Sequence, residues 1–182
     1  MHTVQLLLKP SKYERYEIDR RFRALAHLHN VCVKHARKCM VRLQYDKDYA
    51  ALRQQYLELS KKLSKKEELS KEDKAEKKAL SAQLAERRSA YGLSKSALEC
   101  YLKVCGKQFS KLLSSQQVQT EADRVWCGVE KCLFGNGKVL RFKRFIDFDT
   151  IGGKSNKNGA CFDSEAMMVS WVGLSLKCFL PK

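Results

Sequence analysis

Proline is nearly missing from this chain: two in 182 residues, too few for a linker-rich array of modules. Long apolar runs are missing as well. The longest near the start is Leu6-Leu7-Leu8, far short of a signal-peptide core or a membrane span. Membrane association and export are therefore not expected, and a cytoplasmic, reducing setting is. In that setting the eight cysteines are read as thiols rather than disulfides. Histidine is scarce too, with His2, His27, His29 and His35 making up the full set. Acidic residues are outnumbered, 20 against 36 Lys and Arg, for a formal net charge of +16.

What is present is enough for a core. Hydrophobic residues make up 44% of the chain, close to globular usage, which excludes a disordered polybasic tail. The length suits one domain or two small units sharing a core. The surplus charge is spread: +6 over residues 1–60, +4 over 61–90 and +6 over 91–182. No single detachable tail carries it, and a polyanion with a phosphate backbone is the natural partner.

The chain reads as β, then α, then β. Residues 2–9 suggest a strand that Pro10 and Ser11 stop. A long helix is predicted over Glu14 to Leu43. Its seam runs Ile18, Phe22, Leu25, His29, Cys32, Ala36, Cys39 and Leu43, spaced alternately by four and three. Arg20, Arg21, Arg23, Lys34, Arg37, Lys38 and Arg42 lie off that seam, where cations meet solvent or phosphates. A second helix opens near Asp48. Lys/Glu-rich text over 61–78 fits a solvated helix, a hairpin tip or a loop. Ser70 and Asp73 have the spacing to open a third helix, which Gly92 ends. Ser94 can cap a fourth, reaching Leu112. Ser114 and Gln117 form a capping-box pattern for a fifth. After Gly137, the text from Val139 to Phe148 is aromatic and β-branched. Short strands are expected at 160–162, 167–171 and 174–180. The first strand is too short to stand alone. The expected fold is therefore α+β: a small antiparallel β-barrel or sheet, interrupted by an inserted α-helical bundle.

Four kinds of site suggest themselves. Cys100-x4-Cys105 and Cys127-x4-Cys132 evoke a zinc cluster, but on helices such pairs point about 140° apart. Core thiols, Cys32 and Cys39 above all, are the better reading. Gly153-Lys154-Ser155 resembles the end of a P-loop, yet the required earlier glycine position holds Phe148. A flexible loop offering Lys154 and Lys157 to phosphates remains. Asp147 and Asp149 would share a strand face, and a lone D-x-D is weak grounds for a two-metal nuclease. The strongest signal is Leu140-Arg141-Phe142-Lys143-Arg144-Phe145, three cations among two rings. Its cations can meet phosphates while its rings stack on bases. An edge strand with core rings and solvated cations is the plain alternative. No catalytic residue, metal site or cofactor is assigned.

Several local texts occur in an order that resembles the N-terminal half of TnpB-like proteins. These are transposon-encoded RNA-guided nucleases related to type V CRISPR effectors. The likeness rests on Leu28-His29-Asn30-Val31-Cys32, on Leu112-Leu113-Ser114-Ser115-Gln116-Gln117-Val118, and on Gly135-Asn136-Gly137-Lys138 followed by Leu140 to Phe145. Gly153 to Gly159 and Trp171-Val172-Gly173-Leu174-Ser175-Leu176 complete it. The resemblance implies a wedge-type β domain formed by 1–13 and 135–182, interrupted by a helical recognition domain over 14–134. It implies a module that holds guide RNA and the guide–target DNA duplex, reading backbone shape while base pairing reads sequence. Arg141, Lys143 and Arg144 become RNA-backbone contacts, and Phe142 and Phe145 stack or pack. Lys9, Lys12 and Tyr13 follow the first strand, where the family meets nucleic acid. The family's RuvC nuclease domain and zinc ribbon lie downstream of the matched region. This chain is therefore expected to bind without cutting, as a fragment or truncated product whose partner is a RuvC-containing remainder. The rival reading is a helical protein-interaction module, using the Ile18–Leu43 seam in a dimer under a merely solubilising basic surface.

Overall fold

The computed structural model describes residues 6–64, 70–135, 137–148, 150–152 and 159–179. Five helices and four strands occur among them: β1 (Leu7–Leu8), α1 (Lys12–Gln44), α2 (Lys47–Leu63), α3 (Lys71–Ala90), α4 (Lys95–Gly106), α5 (Ser115–Phe134), β2 (Ala160–Asp163), β3 (Met168–Trp171) and β4 (Leu174–Phe179). The chain forms two compact units. One combines Met1–Val33 with Glu99–Lys182, and the other is Lys34–Leu98.

Helix starts follow their capping residues. Ser11 caps α1, which begins at Lys12, two residues before the predicted start. Its hydroxyl accepts from the Glu14 N–H at 3.3 Å, and the Glu14 carboxylate accepts from the Ser11 N–H at 2.6 Å. Those bonds from Ser11 hold the Glu14 carboxyl below its ordinary value. Ser70 with Asp73 and Ser114 with Gln117 form the two capping boxes expected from their spacing. α4 is shorter than expected. It ends at Gly106, and a single 3-10 turn over Lys107–Phe109 follows.

From Leu25 on, the α1 seam is buried: Leu25, His29, Cys32, Ala36, Cys39 and Leu43 all lie inside, while Ile18 and Phe22 are partly buried. Burial pushes the Cys32 thiol up to about 12, and the Glu121 carboxylate adds to it. Cys32 and Cys39 are thus core thiols, as their place in the seam suggests. In the Lys34–Leu98 unit, α2 packs on α3. Arg87 near the end of α3 pairs with Asp46 and Asp48 at the start of α2, so the two helices run as an antiparallel hairpin. Lys/Glu-rich text lies at both inner ends of that hairpin, with 65–69 outside the described residues.

The sheet belongs to the other unit and is antiparallel throughout, in the order β1-β4-β3-β2. Among the described residues it is open, with β1 and β2 at its edges, so of the two expected forms it is the sheet and not the barrel. Four strands of two to six residues leave β1 and β2 too short to meet and close. β4 alternates as its sequence does: Leu174, Leu176 and Cys178 are buried, while Ser175, Lys177 and Phe179 are exposed. α1 covers the buried side of the β3–β4 turn. Phe22 meets Trp171 edge to face at 6.2 Å, and buried Arg21 donates to the Val172 carbonyl at 2.9 Å. Arg21 is itself paired with Glu17 at 2.8 Å.

That turn carries backbone strain. Val172 and Gly173 link β3 to β4 with φ of 42° and 78°. Two positive φ values mark the primed hairpin turn, which suits Asn-Gly and strains a β-branched residue. Val172→Asn is expected to raise stability by about 1 kcal/mol, read as a higher thermal midpoint.

Candidate nucleic-acid interface

The Leu140–Phe148 segment is not a strand. It runs extended over α1 and α5 as a strap, and a 3-10 turn at Phe145–Asp147 folds it back. No described neighbouring strand offers it a ladder, so side chains hold it instead. Leu140 is buried against Gly128 of α5, where an added Cβ would lie 2.6 Å from the Leu140 Cδ1. Asn30 of α1 clamps the Lys143 backbone: its Nδ2 donates to the carbonyl at 2.8 Å, and its Oδ1 accepts from the N–H at 2.9 Å. The Asn30 amide thereby supplies the donor and acceptor that a paired strand would. Past the turn, buried Phe148 meets His29 edge to face at 5.4 Å.

Beneath the strap lies a buried polar cluster. Glu121 of α5 is 1% exposed and sits 3.2 Å from the His29 Nδ1. Its other carboxylate oxygen accepts from Arg124, which in turn donates to the Thr150 carbonyl at 3.2 Å. One carboxylate therefore ties α1, α5 and the returning strap together.

The strap's outer side carries the basic and aromatic residues. Arg141, Phe142, Lys143 and Arg144 are exposed, Phe142 by half. The Lys143 ammonium lies 5.2 Å from the Phe148 ring centre. Phe145 is half-buried under Arg23 of α1, whose guanidinium is 4.6 Å from its centre. Arg144 is committed within the strap. It forks Asp147 with bonds of 3.1 and 3.2 Å, and that guanidinium holds the Asp147 carboxyl below its ordinary value. Asp147 therefore lies in a 3-10 turn facing Arg144, not on a strand face beside Asp149, which is outside the described residues.

The strap meets a second series on α1. Tyr13, Tyr16, Arg20, Arg23, His27 and Asn30 are spaced 3-4-3-4-3, on the face opposite the buried seam. Tyr13 is 70% and Tyr16 61% exposed. Arg20 lies 5.9 Å from the Tyr16 ring centre and pairs with Glu17 at 2.6 Å. Arg20, Arg23 and His27 line a shallow groove of about 330 Å³ with Phe109 and Leu112. His27 meets the Phe109 ring at 5.7 Å. The seam arithmetic, moved half a turn around the helix, would have found this face in the sequence. Asn30 carries no such signal, because its role depends on a segment 113 residues away.

The remaining expected contacts divide by place. Lys9 is exposed and lies 5.4 Å from the Phe179 ring centre on β4, and Lys12 is the exposed first residue of α1. Arg37 and Lys38 belong to the other compact unit. Lys154 and Lys157 lie outside the described residues. Cys100 and Cys127 are exposed on α4 and α5. Among the described residues no three His, Cys, Asp or Glu side chains are grouped to hold a metal ion. No described helix is long and apolar enough to cross a membrane.

No family model, no curated protein and no solved structure matches the chain.

The clamp yields a test in which no cation is removed. Asn30→Ala should cost about 1 kcal/mol of stability. It should also lower RNA affinity several-fold, because Arg141 and Lys143 lose their fixed place on α1. Denaturation and fluorescence anisotropy with a structured RNA read the two effects separately.

Proposed function

We propose that this chain is a nucleic-acid-binding module that holds structured RNA along α1 and the strap. One observation carries the reading: two cation–aromatic series, one from each element, are fixed side by side by Asn30 and by the Arg23–Phe145 contact. Rings at intervals give base-stacking platforms, and the cations between them meet the phosphates. A net charge of +16 supplies the long-range attraction.

In the finer reading this module is the non-catalytic part of a TnpB-like RNA-guided endonuclease. It holds guide RNA and the guide–target duplex beside a RuvC-containing partner. The ordered local texts from Leu28 to Leu176 support that reading. The interaction-module alternative needs a free α1 seam, and from Leu25 to Leu43 that seam is buried by the chain's own residues. Purifying the chain from its host and sequencing the RNA that stays bound tests the proposal. A single structured RNA supports it. The absence of RNA, or a random mixture removed by moderate salt, refutes it.

A further inference from the structure

A cleft of about 580 Å³ lies between α4, the turn after it and the first turns of α5. That is within the range of small-ligand sites. Its walls are chemically graded along α4. Glu99 stands at one end, Lys103 follows one helical turn on, about 6 Å further, and Lys107 comes after that. Leu113 and Val118 supply apolar wall, and Gln119 adds an amide. Gly106 keeps the cleft narrow at its base: a Cβ there would lie 3.1 Å from the Val118 methyls, so α4 and α5 approach closely.

We propose that this cleft takes one unpaired guanosine nucleotide. The inference rests on the RNA-binding reading and names the base that the module reads directly. An apolar wall suits a base face, and the two lysines that flank it at Gly106 suit the attached phosphate. The carboxylate at the far end selects among bases. Glu99 has only acceptors to offer, and guanine presents two adjacent donors, N1–H and N2–H, on its Watson–Crick edge. Adenine places an acceptor at N1, which a carboxylate repels. Cytosine and uracil each offer one donor flanked by an acceptor.

Cys100 borders the cleft and is exposed, while Cys127 is exposed on α5 outside it. The two thiols therefore give a probe and an internal control. The rate of iodoacetamide alkylation at each, read by peptide mass spectrometry, is compared with guanosine 5′-monophosphate, adenosine 5′-monophosphate or inorganic phosphate present. Guanosine monophosphate should slow Cys100 at least threefold and leave Cys127 unchanged, while the other two do little. Glu99→Gln should abolish the preference for guanine, and Lys103→Ala should weaken protection. Equal protection by both nucleotides, protection by phosphate alone, or none at all overturns the proposal. Binding of structured RNA, measured on the same preparation, separates the two claims. RNA binding without Cys100 protection removes the cleft and leaves the module. Protection without RNA binding does the reverse.

Discussion

Replacing Arg141 and Lys143 together by alanine should lower affinity for structured RNA by on the order of tenfold to a hundredfold at low salt. The plot of log affinity against log salt should become shallower by about two, one for each phosphate contact removed. The fold should survive, because both side chains are exposed. The Asn30 clamp holds the Lys143 backbone rather than its ammonium, so the strap keeps its place in the variant. Arg144 gives the contrast. Its guanidinium already forks Asp147, and Arg144→Ala should change affinity least of the three. Asp147→Asn releases that guanidinium and should raise affinity a few-fold. Anisotropy titrations of the variants at several salt concentrations check all of these effects.

The largest loss of stability should come from Glu121→Ala. Glu121 is almost fully buried and holds two partners, His29 and Arg124. Removing the carboxylate strips His29 of its partner and leaves Arg124 only its bonds to Thr150, at a cost of about 3 kcal/mol. The vacated side-chain volume adds to it. In a guanidinium titration the midpoint should fall while the slope stays constant. RNA affinity should fall as well, since Phe148 rests on His29 and Thr150 on Arg124. Unchanged stability would mean that the cluster does not support the strap.

Helices are legible where a capping pair or a periodic seam marks them. Ser70, Ser114 and the Ile18–Leu43 stripe show this directly, as local hydrogen bonds and burial act over a few residues. The alternation in β4 was equally plain, because one face of that strand is buried. The strap was not legible as a strap. Its aromatic text reads as a strand, and what makes it otherwise is tertiary. Asn30 occupies the hydrogen bonds that a neighbouring strand would take, and Gly128 makes room for Leu140. The choice between barrel and open sheet is not legible for a related reason. Strand count and alternation can be read from the sequence, but edge lengths emerge from pairing. The cationic residues of 141–144 were legible from composition. That Arg144 answers Asp147 three residues on became clear only once the segment was a 3-10 turn.

The most direct test of the interface is ultraviolet crosslinking of the full chain to its bound RNA, with the crosslinked peptides mapped by mass spectrometry. The account predicts crosslinks concentrated at Phe142 and Phe145 on the strap and at Tyr13 and Tyr16 on α1. Crosslinks confined to α2 and α3, with the strap and the α1 face untouched, would contradict it.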